Sequence, residues 1–153
     1  MAKLYILKEG EPGLRKTCRP VTDINLRTKR LLDDMVETMR KADGVGLAAP
    51  QVGVLRRVVV IEVEEGVTYE MINPEVIDRK GEQIETEGCL SVPGRWGTHK
   101  RPAVATVRYM DREGNIKELT GDGLLARAIC HETDHLEGKL FIDEMIKEIK
   151  ADD

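Results

Sequence analysis

The chain has 153 residues and a net charge of −4, because 24 Lys and Arg stand against 28 Asp and Glu. A chain of this length is expected to form one domain over residues 1–153 and to bury about two-thirds of its unfolded surface. The charges are intermixed and no apolar run is long enough for a signal peptide or a membrane span, which argues against a nucleic-acid footprint and against a membrane protein.

The first predicted element is an amphipathic helix over residues 20–42. Leu31, Met35 and Met39 fall on one stripe of it, with Leu32 and Val36 on the next. We expect this methionine-bearing stripe to belong to the core and not to a binding site.

A glycine segment follows, in which Gly44, Gly46 and Ala49 match a loose dinucleotide-binding fingerprint. That fingerprint follows a strand and opens a helix, whereas here a helix precedes it and Pro50 prevents a helical continuation. An ordinary turn from helix to strand accounts for Gly44. We expect Gly46 to let a substrate backbone come close.

Short strands dominate the middle of the chain. Alternation predicts a hairpin of residues 57–64 and 67–72 that Asn73 and Pro74 end, and pairing of residues 76–80 with 83–87 around Gly81. Residues 103–110 and 116–120 form the second predicted hairpin.

The last quarter contains HETDH at residues 131–135, within a predicted helix over 124–137 that Asp122 can cap and Gly138 can end. Residues four apart share a helical face, so His131 and His135 can reach one metal ion with Glu132 beside them as a proton carrier. A short C-terminal helix is also predicted over residues 141–150. The fold class is therefore α+β: small antiparallel β-sheets packed around a central metal-binding helix, with an N-terminal and a C-terminal helix.

A catalytic site of this kind needs a third protein ligand. The extended HExxHxxGxxH pattern fails because Phe141 stands at its third histidine position. Glu144 or Glu148 could serve, and so could Cys89, which ends a predicted strand. Of the other cysteines, Cys130 should point away from the histidine face and Cys18 has no partner nearby. Three cysteines, an odd number, fit reduced thiols and a cytoplasmic location.

Three segments together resemble the peptide deformylase family, and the resemblance extends over nearly the whole chain. They are GVGLAAPQ at residues 44–51, EGCLS at 87–91 and HETDH at 131–135. The resemblance implies that Cys89, His131 and His135 bind one divalent metal ion. Fe²⁺ is expected first, with Zn²⁺, Ni²⁺ or Co²⁺ as substitutes.

The same resemblance implies hydrolysis of the N-formyl group from the initiator methionine of new polypeptides, with release of formate. Glu132 would carry the proton, while the Gln51 amide and the Leu90 backbone N–H would meet the charge that gathers on the formyl oxygen. The methionine pocket would be lined by Val45, Gly46, Leu124 and Ala128. The expected partners are N-formyl-methionyl nascent peptides, with transient proximity to the ribosome.

The chain departs from the family pattern at two positions. Cys130 replaces a usual glutamine, and His99, which we expect at the surface, replaces a usual aliphatic residue. Arg101 fits a family arginine and is expected to pair with Glu87 and hold the cysteine loop. Trp96 is expected to cap the core, with a role at the cleft rim as the alternative.

Two other functions use the same helix. An HExxH metallopeptidase or aminopeptidase would take its third ligand from Glu144 or Glu148. A non-catalytic metal-binding module would leave Glu132 as a structural neighbour.

Overall fold

Alternating apolar residues in the chain build two antiparallel sheets. This computed structural model describes residues 4–149. The described helices are α1 (Leu26–Lys41) and α2 (Gly123–His135), with 3-10 turns at Pro12–Arg15, Ala49–Val52 and Phe141–Asp143. The described strands are β1 (Gly46–Ala48), β2 (Val58–Glu64), β3 (Val67–Lys80), β4 (Gln83–Cys89), β5 (Val92–Arg101), β6 (Val104–Met110), β7 (Ile116–Asp122) and β8 (Lys147–Ile149).

Helix α1 begins six residues later than the sequence predicts, at Leu26 instead of residue 20. The Asn25 side chain accepts a hydrogen bond from the Thr28 backbone N–H at 3.0 Å, which is the usual way to cap a first turn. Met35 and Met39 are fully buried, so the prediction that this stripe belongs to the core is confirmed.

The larger sheet has the order β1-β2-β3-β6-β7, and every pair in it is antiparallel. The two predicted hairpins are present as β2–β3 and β6–β7. The predicted break at Asn73 and Pro74 is wrong, because β3 continues to Lys80 through a register shift between Ile72 and Glu75. A bulge with Asn73 at φ +54° accommodates the proline within the strand.

The smaller sheet has the order β4-β5-β8 and contains two departures from prediction. Residues 76–80 pair with β6, and β4 pairs with β5, so the predicted pairing of 76–80 with 83–87 is wrong. The predicted C-terminal helix over 141–150 is also wrong. A 3-10 turn at Phe141–Asp143 is followed by β8, which adds to β5 with Trp96 opposite Ile149. Lys150 lies outside the described residues.

Helix α2 packs its apolar face on the larger sheet. Ala126 and Ile129 are fully buried in a cluster with Val59, Ile61 and Met71 from the strands. The helix occupies the predicted place, and Gly138 at φ +75° follows its end, where a Cβ atom would collide with the Arg15 backbone. Neither α1 nor any other helix in the described part of the chain has the length and apolarity that crossing a membrane requires.

Candidate active site

Two elements distant in sequence bring three metal-ligating side chains together. Cys89 lies at the end of β4, and His131 and His135 lie one turn apart on α2; one donor atom of each lies within 4.8 Å of the others. The Cys89 Sγ is 3.4 Å from His135 Nε2. Among the residues that the structure describes, these three are the His, Cys, Asp or Glu side chains that lie close enough together to bind one metal ion.

The donor set fits a divalent transition metal. Thiolate and imidazole donors bound at about 2.3 and 2.1 Å to one ion lie roughly 3.5 Å apart, close to the Cys89–His135 separation. The buried Nδ1 atom of His135 has no hydrogen-bond partner among residues 4–149. The downstream carboxylates lie elsewhere: Glu148 binds Arg95 at 2.9 Å, and Glu144 is exposed.

The ring of His131 is held by a buried carboxylate that the sequence did not link to it. Glu87 Oε1 is 3.0 Å from His131 Nδ1, an arrangement that leaves Nε2 as the donor atom for an ion. Phe141 stacks on the His131 ring at a centroid distance of 6.0 Å. Phe141 thus packs on the first histidine of the motif instead of supplying a third one.

Arg101 pairs with Glu87 as predicted. Its Nε and Nη2 atoms donate to the two carboxylate oxygens at 2.9 and 3.0 Å, and its Nη1 donates to Asp134 at 2.7 Å. Burial would raise the pKa of Glu87, but hydrogen bonds from His131 and Arg101 lower it to about 2. The network from Arg101 to His131 therefore contains a permanent buried anion.

Glu132 is buried beside the same histidine but is differently placed. Its Oε1 atom has no hydrogen-bond partner among the described residues. Burial raises the pKa of Glu132 to about 7, although the positive charge of His131 opposes the rise. A carboxyl that titrates near neutral pH can both accept and return a proton.

Gly46 faces Glu132 across the site. A Cβ atom at this position would overlap the Glu132 carboxylate, and the neighbouring β1 residues are fully buried. Gly46 also lines the cavity next to Glu132, so its missing side chain leaves room for the Glu132 carboxylate, and the close approach of a substrate backbone to Gly46 stays a prediction.

The two imidazoles, with centroids 5.1 Å apart, differ in their tendency to protonate. Burial and then the charge of His131 lower the pKa of His135 well below its usual value. Burial also opposes protonation of His131, but hydrogen bonds with Cys89 and Glu87 raise its pKa well above the usual value. His131 is therefore the one of the two imidazoles that takes up a proton more readily.

Gln51 reaches the cluster from the 3-10 turn at Ala49–Val52. Its Nε2 atom donates to Ser91 Oγ at 3.0 Å and lies 3.6 Å from the Cys89 Sγ. Its Oε1 accepts from the Ala48 backbone N–H at 2.9 Å, which fixes the orientation of the amide. Leu90 follows Cys89 and lines the same cavity. Ser91, fully buried, was not singled out by sequence, although it lies within the second motif.

A cavity of about 440 Å³ opens next to His131 and Glu132. Val45 and Leu124 are partly exposed on its wall, and Ala128 is buried there, so the structure places the predicted pocket residues around one opening. Trp96 also lines the cavity and is 49% exposed, with its ring lying over Gly88. It is a rim residue, and its expected place as a cap on the core is wrong.

The two departures from the family pattern have different places in the fold. Cys130 is buried among the core side chains and is not part of the ligand group, as its helical position predicts. His99 is also buried, so its expected surface position is wrong. It lies on β5 on the same face as Arg101, and its Nδ1 is 2.9 Å from the Lys100 carbonyl oxygen.

Comparison with known proteins gives one consistent result. Residues 3–151 match the family model described as polypeptide deformylase. A peptide deformylase of Caldanaerobacter subterraneus subsp. tengcongensis is 60% identical over 147 residues, which are 96% of this chain and 92% of that relative. One from Thermoanaerobacter pseudethanolicus is 55% identical with the same coverage.

Solved structures agree. A peptide deformylase from Legionella pneumophila superposes with a TM-score of 0.92 at 43% identity, covering 94% of this chain and 86% of that one. The structure from Synechococcus elongatus in complex with actinonin superposes with a TM-score of 0.90 at 38% identity, covering 95% and 84%.

Proposed function

The chain belongs to the polypeptide deformylase family and is a peptide deformylase in its activity, and we propose that Cys89, His131 and His135 hold the divalent ion that this activity uses. The reaction removes the N-formyl group from the N-terminal methionine of newly made polypeptides and releases formate. The observation that carries the assignment of the site is the meeting of these three donors, from β4 and α2, beside a carboxyl with an unpaired oxygen.

The proposed chemistry divides among few groups. When bound, a divalent ion lowers the pKa of water and polarises a carbonyl group. Glu132 takes the proton of the water whose oxygen attacks the formyl carbon, and returns it to the amine nitrogen as the C–N bond breaks. The pKa of about 7 that burial gives Glu132 suits both transfers.

Positioned donors stabilise the charge that develops on the formyl oxygen. We assign this role to the Gln51 side-chain amide and the Leu90 backbone N–H. In support, the Gln51 amide is held by Ala48 and directed towards Ser91 and Cys89, next to the ligand group. Glu87, anchored by Arg101, orients His131 from behind.

The cavity beside Glu132 is the proposed binding site for the substrate's methionine. Val45, Leu124 and Ala128 give it an apolar wall, and Gly46 leaves the Glu132 carboxylate open to the cavity. Its volume of about 440 Å³ is adequate for one unbranched side chain and the adjoining backbone. Because actinonin is bound by the Synechococcus relative, we expect it to bind in the same cavity here.

Fe²⁺ is the proposed ion, and Zn²⁺, Ni²⁺ or Co²⁺ are substitutes that the same donors accept. A thiolate ligand favours a reducing compartment, so we place the reaction in the cytoplasm, on nascent peptides in transient proximity to the ribosome. We also propose that residues 1–153 form a single catalytic domain.

The test is formate release from N-formyl-Met-Ala-Ser by protein purified without oxygen and supplied with Fe²⁺, with bound metal measured in parallel. Cys89→Ala should lose both metal and turnover, whereas Cys130→Ala, a matched buried thiol outside the ligand group, should keep both. If Cys89→Ala retains the metal and Glu144→Ala or Glu148→Ala loses it, the result would favour the metallopeptidase hypothesis. Metal bound by wild type without formate release would favour a non-catalytic module.

A further inference from the structure

One charged side chain in the wall of the cavity has no part in the proposed chemistry. Arg127 lies on α2 between Leu124 and Ala128, the two α2 residues of the apolar wall, and it lines the same cavity. It is partly exposed, whereas Ala128 beside it is buried. A cation in such a wall costs free energy to desolvate unless a partner compensates it. The question is therefore what binds Arg127.

The described residues give Arg127 little to bind. Its Nη1 atom donates to the Thr86 carbonyl oxygen at 3.5 Å, which is longer than a usual N–H···O bond. Its Nε atom is buried and has no hydrogen-bond partner in the described part of the chain. A guanidinium group carries five N–H donors in a planar fork, so Arg127 has unused capacity for an anionic ligand.

The second arginine of the cavity differs from Arg127, because its charge is already neutralised. Arg95 donates to Glu148 and to Glu9, each at 2.9 Å. Asp43, a carboxylate of the cavity lining, is exposed in the turn that follows α1 and does not pair with Arg127. Of the two arginines that line this cavity, Arg127 is thus the one without an ion pair to a described carboxylate.

The contact with β4 places the Arg127 guanidinium at a definite distance from the proposed ligand group. Strand β4 is at the edge of the smaller sheet and borders the cavity, so an extended peptide can lie along it. Thr86 precedes Cys89 by three residues, which is about 10 Å along a strand. In an extended substrate whose formyl group lies at Cys89, the Cα atom of the third residue is roughly 9 Å from the formyl carbon. The third residue can therefore come as far as Arg127.

The alternation of an extended chain selects the same residue. Side chains of the first and third residues project to one face, and that of the second projects to the other. By the proposed function, the methionine side chain of the first residue contacts Leu124 and Ala128. The third side chain then also faces α2, which presents Arg127 there.

We propose that Arg127 is a specificity-determining residue that binds the side-chain carboxylate of an aspartate or glutamate at the third position of the substrate. The proposal rests on the proposed function, which sets the methionine as the first residue. A guanidinium fork matches a carboxylate with two parallel hydrogen bonds, whereas an uncharged amide offers one acceptor atom and no charge. Polypeptides with an acidic third residue should accordingly be deformylated in preference to those with the corresponding amide.

The experiment uses peptides with amidated C-termini, so that no terminal carboxylate competes for Arg127. N-formyl-Met-Ala-Glu-Ala amide is compared with its Gln counterpart, and N-formyl-Met-Glu-Ala-Ala amide with its Gln counterpart. The full-length, Fe²⁺-loaded proteins are the wild type, Arg127→Met, Arg127→Lys and the control Arg27→Met, which removes an exposed arginine of α1 outside the cavity. Formate release gives kcat/KM. Calorimetry gives the dissociation constants of the same peptides with the Glu132→Ala form of each protein.

The quantity to compare is the ratio of kcat/KM for the Glu peptide to kcat/KM for its Gln counterpart. Both values come from one preparation, so differences in folding or metal content cancel. With Glu at the third position, the wild-type ratio should be about fivefold, the upper end for a partly exposed ion pair, and should approach one in high salt. It should be about one in Arg127→Met, intermediate in Arg127→Lys and unchanged in Arg27→Met.

A wild-type ratio of one, or equal ratios in the wild type and Arg127→Met, would overturn the proposal. A preference for Glu at the second position that Arg127→Met abolishes would overturn it too, because the proposed alternation would be wrong. Absence of formate release from every peptide would count against the proposed function. The ratios of the dissociation constants, which need no turnover, would then decide whether Arg127 selects an acidic third residue.

Discussion

The two carboxylates on either side of His131 are both buried, yet near neutral pH Glu87 is fully ionised whereas Glu132 exchanges between its neutral and ionised forms. Glu87 receives hydrogen bonds from Arg101 and His131, and its pKa falls to about 2. Glu132 has an oxygen without a partner, and burial raises its pKa to about 7. Burial is common to both, so the number of donors decides which carboxylate is a fixed anion and which can carry a proton.

Removing Arg101, the cation that pairs with Glu87, should have the largest effect on the free energy of unfolding. Arg101→Leu leaves Glu87 and Asp134 without their buried partner, and breaking such a pair destabilises a fold by about 3–5 kcal/mol. Urea unfolding of the metal-free protein measures this, with metal content as a second readout. Arg108→Leu is the control, because its pair with Glu118 is exposed and should contribute no more than about 1 kcal/mol. An Arg101 variant with unaltered stability and metal content would contradict the predicted role of the Arg101–Glu87 pair.

The raised pKa of Glu132 should make the stability of the fold depend on pH. The pKa of Glu132 is raised by folding, from 4.5 to about 7, so its neutral form is favoured in the folded state. Wild-type stability should therefore fall relative to Glu132→Gln as pH rises from about 4.5 to 7, by up to about 3 kcal/mol. Unfolding of both metal-free proteins across this pH range is the measurement. Parallel curves would show that burial does not perturb Glu132.

Weakening the hydrogen bond to His131 should affect metal affinity more than folding. Glu87→Gln keeps the shape but loses the charge that orients His131, and such changes behind a ligand cost about 10–100-fold in affinity. Competition with a metal-binding dye measures the affinity. Glu118→Gln, an exposed carboxylate on β7, is the control. Equal metal affinities of the wild type and Glu87→Gln would show that the helix alone fixes the orientation of the His131 ring.

The smallest expected effect comes from crowding Glu132. Gly46→Ala introduces a Cβ atom that overlaps its carboxylate, and we expect turnover to fall about tenfold through displacement of the proton carrier. The ion should remain bound. Gly13→Ala is the control, since its Cβ atom meets only the end of the flexible Leu7 side chain at 3.0 Å. Unchanged turnover in Gly46→Ala would show that Glu132 does not need its observed position.

Local signals in the sequence identified the α2 side of the site. The stop at Gly138 and the spacing of His131 and His135 are short-range features, and the helix occurs where they predict it. Asp122 occupies the N-cap position, but its side chain makes no cap hydrogen bond, so the predicted capping is wrong. Cys89 could not be selected from its spacing alone, because its approach to α2 depends on the placement of a whole sheet. The resemblance supplied that choice, and the geometry places Cys89 next to both histidines.

The smaller sheet was poorly predicted for physical reasons. Strand β5 turns His99 and Arg101 inward, so its buried face does not read as apolar alternation. Residues Ile142, Met145, Ile146 and Ile149 have helical spacing, but pairing with β5 overrides that local preference and produces β8.

The most direct test of the account is the Glu132→Ala variant, with bound Fe²⁺ and formate release measured on one anaerobic preparation. The account predicts wild-type metal content, since Glu132 is not one of the three donors, together with a loss of turnover of at least a hundredfold. Turnover near the wild-type level with metal bound would contradict it, because another group would then have to carry the proton.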